Sequence, residues 1–141
     1  MINKKSILII ASVPASLLNF RGHLIRDLLL KNYEVHVSSP NFSSKKDIKT
    51  ELLNLGVHVH DVEFSRTGQN LIKDIISIIK LYFLIKSVKP NILLAYTIKP
   101  VIYGVLAGWL AGVKSRYALI TGLGYTFHSN NKNTLLYKII R

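Results

Sequence analysis

Three sets of residues have types and spacing suited to chemistry. His58 and His60 are one residue apart in a stretch that reads as a strand, so both rings face one side. A catalytic zinc site takes three protein ligands; no third is apparent nearby, so the pair reads as a solvated strand face and no metal is expected. Gly122-Leu123-Gly124 follows the last predicted strand. It matches only part of a dinucleotide fingerprint, lacking the third glycine and standing after the wrong strand. It reads better as a tight turn that lets a ligand approach the backbone. Arg21, His23 and Arg26 open the first predicted helix, where free backbone N–H groups favour an anion, and Arg66 stands at the exit of the third predicted strand. Asp61 and Glu63 are too close in sequence to be taken as an acid/base pair without a cleft to hold them. No Ser/His/Asp order stands out, and the absence of cysteine removes thiolate sites and thiol nucleophiles.

The elements that must position these residues alternate. Residues 6–13 are apolar on both faces, as in a buried parallel strand. A loop is predicted over 14–19, a helix over 20–31, a strand over 33–38 and a turn over 40–44. A helix over 45–55 stops at Gly56, and a strand over 57–62 follows. Asn70 or Gln69 opens a long helix, Leu71–Val88, which Pro90 stops. The strand Ile92–Tyr96 comes next, then a helix from Pro100 to Ala111 closed by Gly112, then a strand over 116–121. A polar loop over 122–133 precedes another helix, 134–141. Gly104, Gly108 and Gly112 recur every four residues; in so short a helix this indicates close packing on a sheet rather than a membrane dimer. The order predicts an α/β fold: a doubly wound parallel sheet with helices on both faces, binding ligands beyond the carboxyl ends of its strands.

The chain has 141 residues, about one domain, with 49% hydrophobic and 18% charged residues. This excludes disordered, collagen-like and coiled-coil chains. Its net charge is +12, and all seven acidic residues lie at or before Asp74. Nine Lys or Arg and no acid follow from Ile75 onward, which suggests an anionic partner such as a membrane surface or a phosphate-bearing ligand. No recognition motif or basic helix face favours nucleic acid. The run after Lys4 and Lys5 is too brief for a signal peptide and lacks a cleavage site. Four charged residues interrupt the apolar stretch 71–88, so no transmembrane span is expected.

Four stretches together resemble glycosyltransferase family 4 enzymes of bacterial surface-polysaccharide synthesis. They are SVPASLLNFRGHLIRDLLLKNYEVHVSSP (12–40), FSRTGQNLIKDI (64–75), KPNILLAYTIKPVIYGVLAGWLAGV (89–113) and ITGLGYTF (120–127). The resemblance implies the Rossmann-like half of a GT-B enzyme, with residues 1–141 as the amino-terminal, acceptor-side domain and the donor-binding carboxy-terminal domain absent. Such enzymes transfer a hexose or N-acetylhexosamine from a nucleotide diphosphate sugar, with retention, to a lipid-linked glycan acceptor, without a metal or other cofactor. The implied substrate-binding residues are Asn19, Phe20, Arg21 and Gly22 on the first loop, Arg66 on the third, Thr97 and Lys99 on the fourth, and Thr121, Gly122, Gly124 and Tyr125 on the fifth. Arg21, Arg66 and Lys99 would face phosphate, the glycines would bring backbone N–H groups to the sugar or leaving phosphate, and Tyr125 would border the acceptor. Thr121 stands where the family commonly has histidine, and no residue is assigned a catalytic role. The expected setting is cytoplasmic, peripheral on the inner face of the plasma membrane, and the chain is expected to be inactive alone. The alternative is a non-enzymatic membrane-binding module that recruits a separate catalytic subunit.

Overall fold

A computed structural model describes residues 4–64 and 70–121. Five strands form one parallel sheet in the order β3-β2-β1-β4-β5: β1 Ser6–Ile10, β2 Glu34–Ser39, β3 His58–Asp61, β4 Ile92–Tyr96 and β5 Ser115–Leu119. The helices are α1 Pro14–Asn19, α2 Gly22–Leu30, α3 Lys46–Asn54, α4 Leu71–Val88 and α5 Ile98–Leu110, with a 3-10 turn at Phe42–Ser44. All five residues of β1 are buried, as expected for the central strand of a sheet covered on both faces.

Side-chain alternation along the strands builds two cores. Ile7 and Ile9 of β1 and Val35 and Val37 of β2 pack with Leu17, Ile25 and Leu52 from α1, α2 and α3. The intervening residues Leu8 and Ile10, with Leu93 and Ala95 of β4, pack with Leu81 and Ile85 of α4 and Tyr103 and Ala107 of α5. The fold is therefore the expected doubly wound, Rossmann-like sheet with helices on both faces.

Two of the differences from the sequence reading share one reason. Residues 14–19 form a helix rather than a loop, and α5 begins two residues before Pro100. A proline in the first turn of a helix gives up an N–H that has no intrahelical acceptor there, so it marks a start rather than a break. Elsewhere the punctuation holds. Gly56 and Gly112, at φ +89° and +85°, sit in the left-handed region just past α3 and α5. Asn70 caps α4, its Oδ1 accepting from the Lys73 N–H at 3.1 Å, and Lys89 ends it at φ 51° before Pro90. Arg66, Gly122, Gly124, Tyr125, the polar loop over 122–133 and the helix expected at 134–141 lie outside the described residues.

Candidate functional site

β1 and β4 are neighbours in the sheet, but the helices that follow them leave to opposite faces: α1 joins one core and α5 the other. The chain after β1 and the chain after β4 therefore diverge, opening a crevice at the topological switch point. Polar side chains meet there. The Ser16 hydroxyl donates to the Val13 carbonyl at 2.6 Å, which uses its single proton. The Tyr96 hydroxyl, 2.7 Å away, must then be the donor to Ser16 Oγ. Tyr96 is 2% exposed, and burial raises its phenol above the ordinary value, consistent with this neutral, donating role. Thr97 Oγ1 donates to Ser12 Oγ at 3.0 Å, tying the two strand ends together across the crevice.

Arg21 lies over this group, its guanidinium carbon 4.9 Å from the Tyr96 ring centroid. Its Nη1 donates to the Phe20 carbonyl at 3.0 Å, and its Nε is buried with no hydrogen-bond partner among the described residues. The guanidinium is thus held on an aromatic face, with one buried N–H unpaired among the described residues. Thr97 has φ 69° and ψ 157°, a backbone region that is essentially glycine's own; such strain of order 1–3 kcal/mol clusters at binding sites.

The structure thus brings Arg21 and Thr97 together around Tyr96. Asn19, the last residue of α1, and Phe20 just past it are exposed, and Gly22 is buried at the start of α2. Thr121 is exposed just past β5, whose Leu119 carbonyl accepts from the Thr97 N–H at 3.3 Å. Lys99 turns instead toward α4: its Nζ is 3.2 Å from Asp74 Oδ1 and 5.6 Å from the Tyr103 ring centroid. The Tyr103 hydroxyl donates to the same carboxylate oxygen. That hydrogen bond, with Lys99 adding to it, holds Asp74 below the usual carboxylate range. Asp61 and Glu63 accept from the backbone N–H groups of Ser43 and Asn41, at 2.9 and 3.2 Å, fixing the turn after β2. Ser12, Ser16 and Tyr96 were not singled out by sequence, because small hydroxyls and a strand tyrosine carry no motif. Their shared place beyond β1 and β4 was the available signal.

A second cluster lies on β2 and β3. His36 pairs with His58 across the ladder, so Glu34, His36, His58 and His60 share one face. Glu34 Oε1 is 3.4 Å from His36 Nε2 and 3.3 Å from His58 Nε2, and His36 Nδ1 is 3.0 Å from His60 Nε2. The His36 and His58 rings stack at 4.5 Å. Desolvation first, then the neighbouring imidazoles, lower His36 and His60 below the ordinary histidine value. Glu34 and His36 of β2 thus stand beside His58, while His60 backs His36.

The sequence model of the glycosyl transferase 4-like family matches residues 7–141. A glycosyltransferase from Rickettsia africae superposes at a TM-score of 0.62 with 15% identity, covering 96% of this chain and 35% of that one. MurG from Acinetobacter baumannii does so at 0.59 with 14% identity, covering 84% and 33%. A UDP-N-acetylglucosamine 2-epimerase matches at 0.62 with 16% identity, covering 88% and 36%. The chain thus spans about a third of the length of these structures, and at such identities the likeness is one of fold. No curated protein matches the sequence. With the family model spanning nearly all of it, the chain belongs to the glycosyl transferase 4-like family.

Proposed function

We propose that this chain is the amino-terminal, acceptor-side domain of a glycosyltransferase that moves a hexose or N-acetylhexosamine from a nucleotide diphosphate sugar to a lipid-linked glycan in surface-polysaccharide synthesis. The observation that carries the reading is the crevice beyond β1 and β4, where Arg21 rests on Tyr96 with its Nε unpaired among the described residues. A fixed guanidinium beside a pair of bonded hydroxyls suits a phosphate joined to a sugar. The donor half of the cleft would come from a second domain or subunit, so this chain alone is expected to transfer nothing. The test compares sugar transfer by this chain with transfer by a form that also carries the donor half, using a lipid diphosphate acceptor. Turnover by the isolated chain would overturn the division of labour.

The lipid setting rests on α4 and α5. Leu81 and Ile85 of α4 are buried, while Ile72, Ile75, Ile76, Ile79 and Phe83 form an exposed apolar stripe on its other side. Ile98, Ile102, Leu106 and Trp109 make a similar stripe on α5. A helix apolar on both sides needs a second cover. The exposed Lys73, Lys80 and Lys86 of α4 suit an anionic surface. Among the described residues no helix is long and apolar enough to cross a membrane, so the surface would be met from one side. Sedimentation with phosphatidylglycerol vesicles, reversed by salt and weaker on neutral vesicles, is the expected result. Equal binding to neutral vesicles would remove charge as the cause.

A further inference from the structure

We infer that Glu34, His36 and His58 form a zinc site that staples the short edge strand β3 to β2. One ligand atom from each lies within 4.8 Å of the others, and the carboxylate oxygen stands 3.4 and 3.3 Å from the two imidazole nitrogens. Two donors about 2.0–2.1 Å from a tetrahedral zinc ion are separated by about 3.3 Å, so both carboxylate–imidazole pairs have the spacing of a tetrahedron's edge; the His36 and His58 rings stack at 4.5 Å with their planes 18° apart, so one ring turns for both nitrogens to point at one ion. The donor set of two imidazoles and one carboxylate suits zinc, and the set leaves a fourth position for water. His58, with a side chain 54% exposed, gives the ion a path from solvent.

The support behind these ligands is equally specific. A ligating histidine usually donates its other ring N–H to a partner that fixes its tautomer. His60 Nε2 stands 3.0 Å from His36 Nδ1, placed to accept that proton and leave His36 Nε2 bare for the metal. The ladder sets the spacing: His36 is opposite His58, and His60 is opposite Ser38, on one face of two parallel strands. β3 has only four residues and forms one edge of the sheet, so an ion bridging Glu34 and His36 on one strand to His58 on the other secures its pairing. Glu34 and His58 are the first residues of their strands, so the site lies toward the opposite end of the sheet from the crevice beyond β1 and β4. The inference is independent of the proposed sugar transfer.

The test titrates the tag-free 141-residue chain with zinc chloride by calorimetry and by competition with a chromophoric chelator. The expected result is one ion per chain with a Kd of about 10 µM or tighter, and a rise in Tm of about 8 °C at a hundredfold excess over Kd. His58→Gln and Glu34→Gln should each weaken binding by at least about tenfold; His60→Gln should weaken it through orientation of His36. His23→Gln, on α2, should leave it unchanged. Glu34 and His58 are both substantially exposed, so equal Tm values in EDTA should show that their variants still fold. Cobalt substitution should give the visible bands of a tetrahedral ion. Weaker binding by the parent chain, or binding undiminished in either His58→Gln or Glu34→Gln, overturns the site.

Discussion

Gly104 and Gly108 both press α5 onto the sheet, but a methyl group added at each meets different neighbours. At Gly104 it would lie 2.9 Å from Ile10 Cδ1 and 3.3 Å from Ala95 Cβ. Ile10 is fully buried in the central strand, and a β-carbon cannot move without its backbone. At Gly108 the neighbours are Leu93 Cδ1 at 3.1 Å and Arg116 Cδ at 3.2 Å, outer atoms of longer side chains. Overpacking a core costs about 1–3 kcal/mol, while replacing a helical glycine by alanine returns about 1 kcal/mol. The 2.9 Å approach is closer than side chains tolerate, so Gly104→Ala should sit in the upper part of that range, lose about 1–2 kcal/mol net and lower Tm by roughly 3–8 °C. Gly108→Ala should lose less, within about 1 kcal/mol of the parent, because both contacts exceed 3.0 Å and need side-chain atoms to give by only a few tenths of an ångström. Urea unfolding of both variants decides the matter. A Gly104→Ala chain as stable as the parent, or a Gly108→Ala chain that loses more than Gly104→Ala, would refute the packing argument.

Asp74, held below the usual carboxylate range by Tyr103 and Lys99, stabilises the fold when ionised. That contribution is present above its unfolded pKa of about 3.9 and is lost as pH falls through the lower folded value. Asp74→Asn should lower Tm at neutral pH and flatten this acid limb; an unchanged limb on urea unfolding from pH 7 down to pH 2 would contradict the assignment. Arg21→Gln, assayed in a form that carries the donor half, should cut transfer at least about tenfold with a Tm change of only a few degrees, since it removes a charge-assisted contact to phosphate. Equal losses of transfer and of folded protein would show Arg21 to be structural. Thr97→Gly should be near neutral in stability, because release of about 1–3 kcal/mol of strain is offset by the lost Ser12 bond and by glycine's greater unfolded-state entropy. A large loss of stability on thermal unfolding would mean that the Thr97 backbone is not strained.

Much of the fold was legible because it is written in local punctuation. Asn70, Pro90, Gly56 and Gly112 act within a few residues of where they stand, and Leu71–Val88 and Ile92–Tyr96 have the bounds read from sequence. Pro14 misled because the same missing N–H breaks a helix in its interior and suits its first turn, while Pro100 was read as a helix start and the helix begins two residues earlier. The Gly104/Gly108 spacing was legible as close packing, though the side chains it accommodates were not. The histidine cluster was not legible for a different reason. His36 lies 22 residues before His58, and only the parallel β2–β3 register puts them opposite each other. Non-local pairing of this kind leaves no spacing signature.

The crevice shows the same division at finer scale. The sequence places Arg21 and Thr97 after different strands, 76 residues apart, and nothing in either neighbourhood names the other. What joins them is Tyr96, whose ring carries the guanidinium and whose hydroxyl reaches Ser16. An all-carbon core could have filled the space under Arg21 with leucine. A phenol there keeps an apolar body against the sheet and offers a quadrupole to a cation above it. The consequence is electrostatic as well as steric. Arg21 is positioned without a carboxylate partner among the described residues, so the ring orients its charge without an ion pair to neutralise it. Lys99, by contrast, is already bonded to Asp74. Of these two cations beside the switch point, Arg21 is therefore the one whose charge is oriented by an aromatic ring rather than by a carboxylate among the described residues.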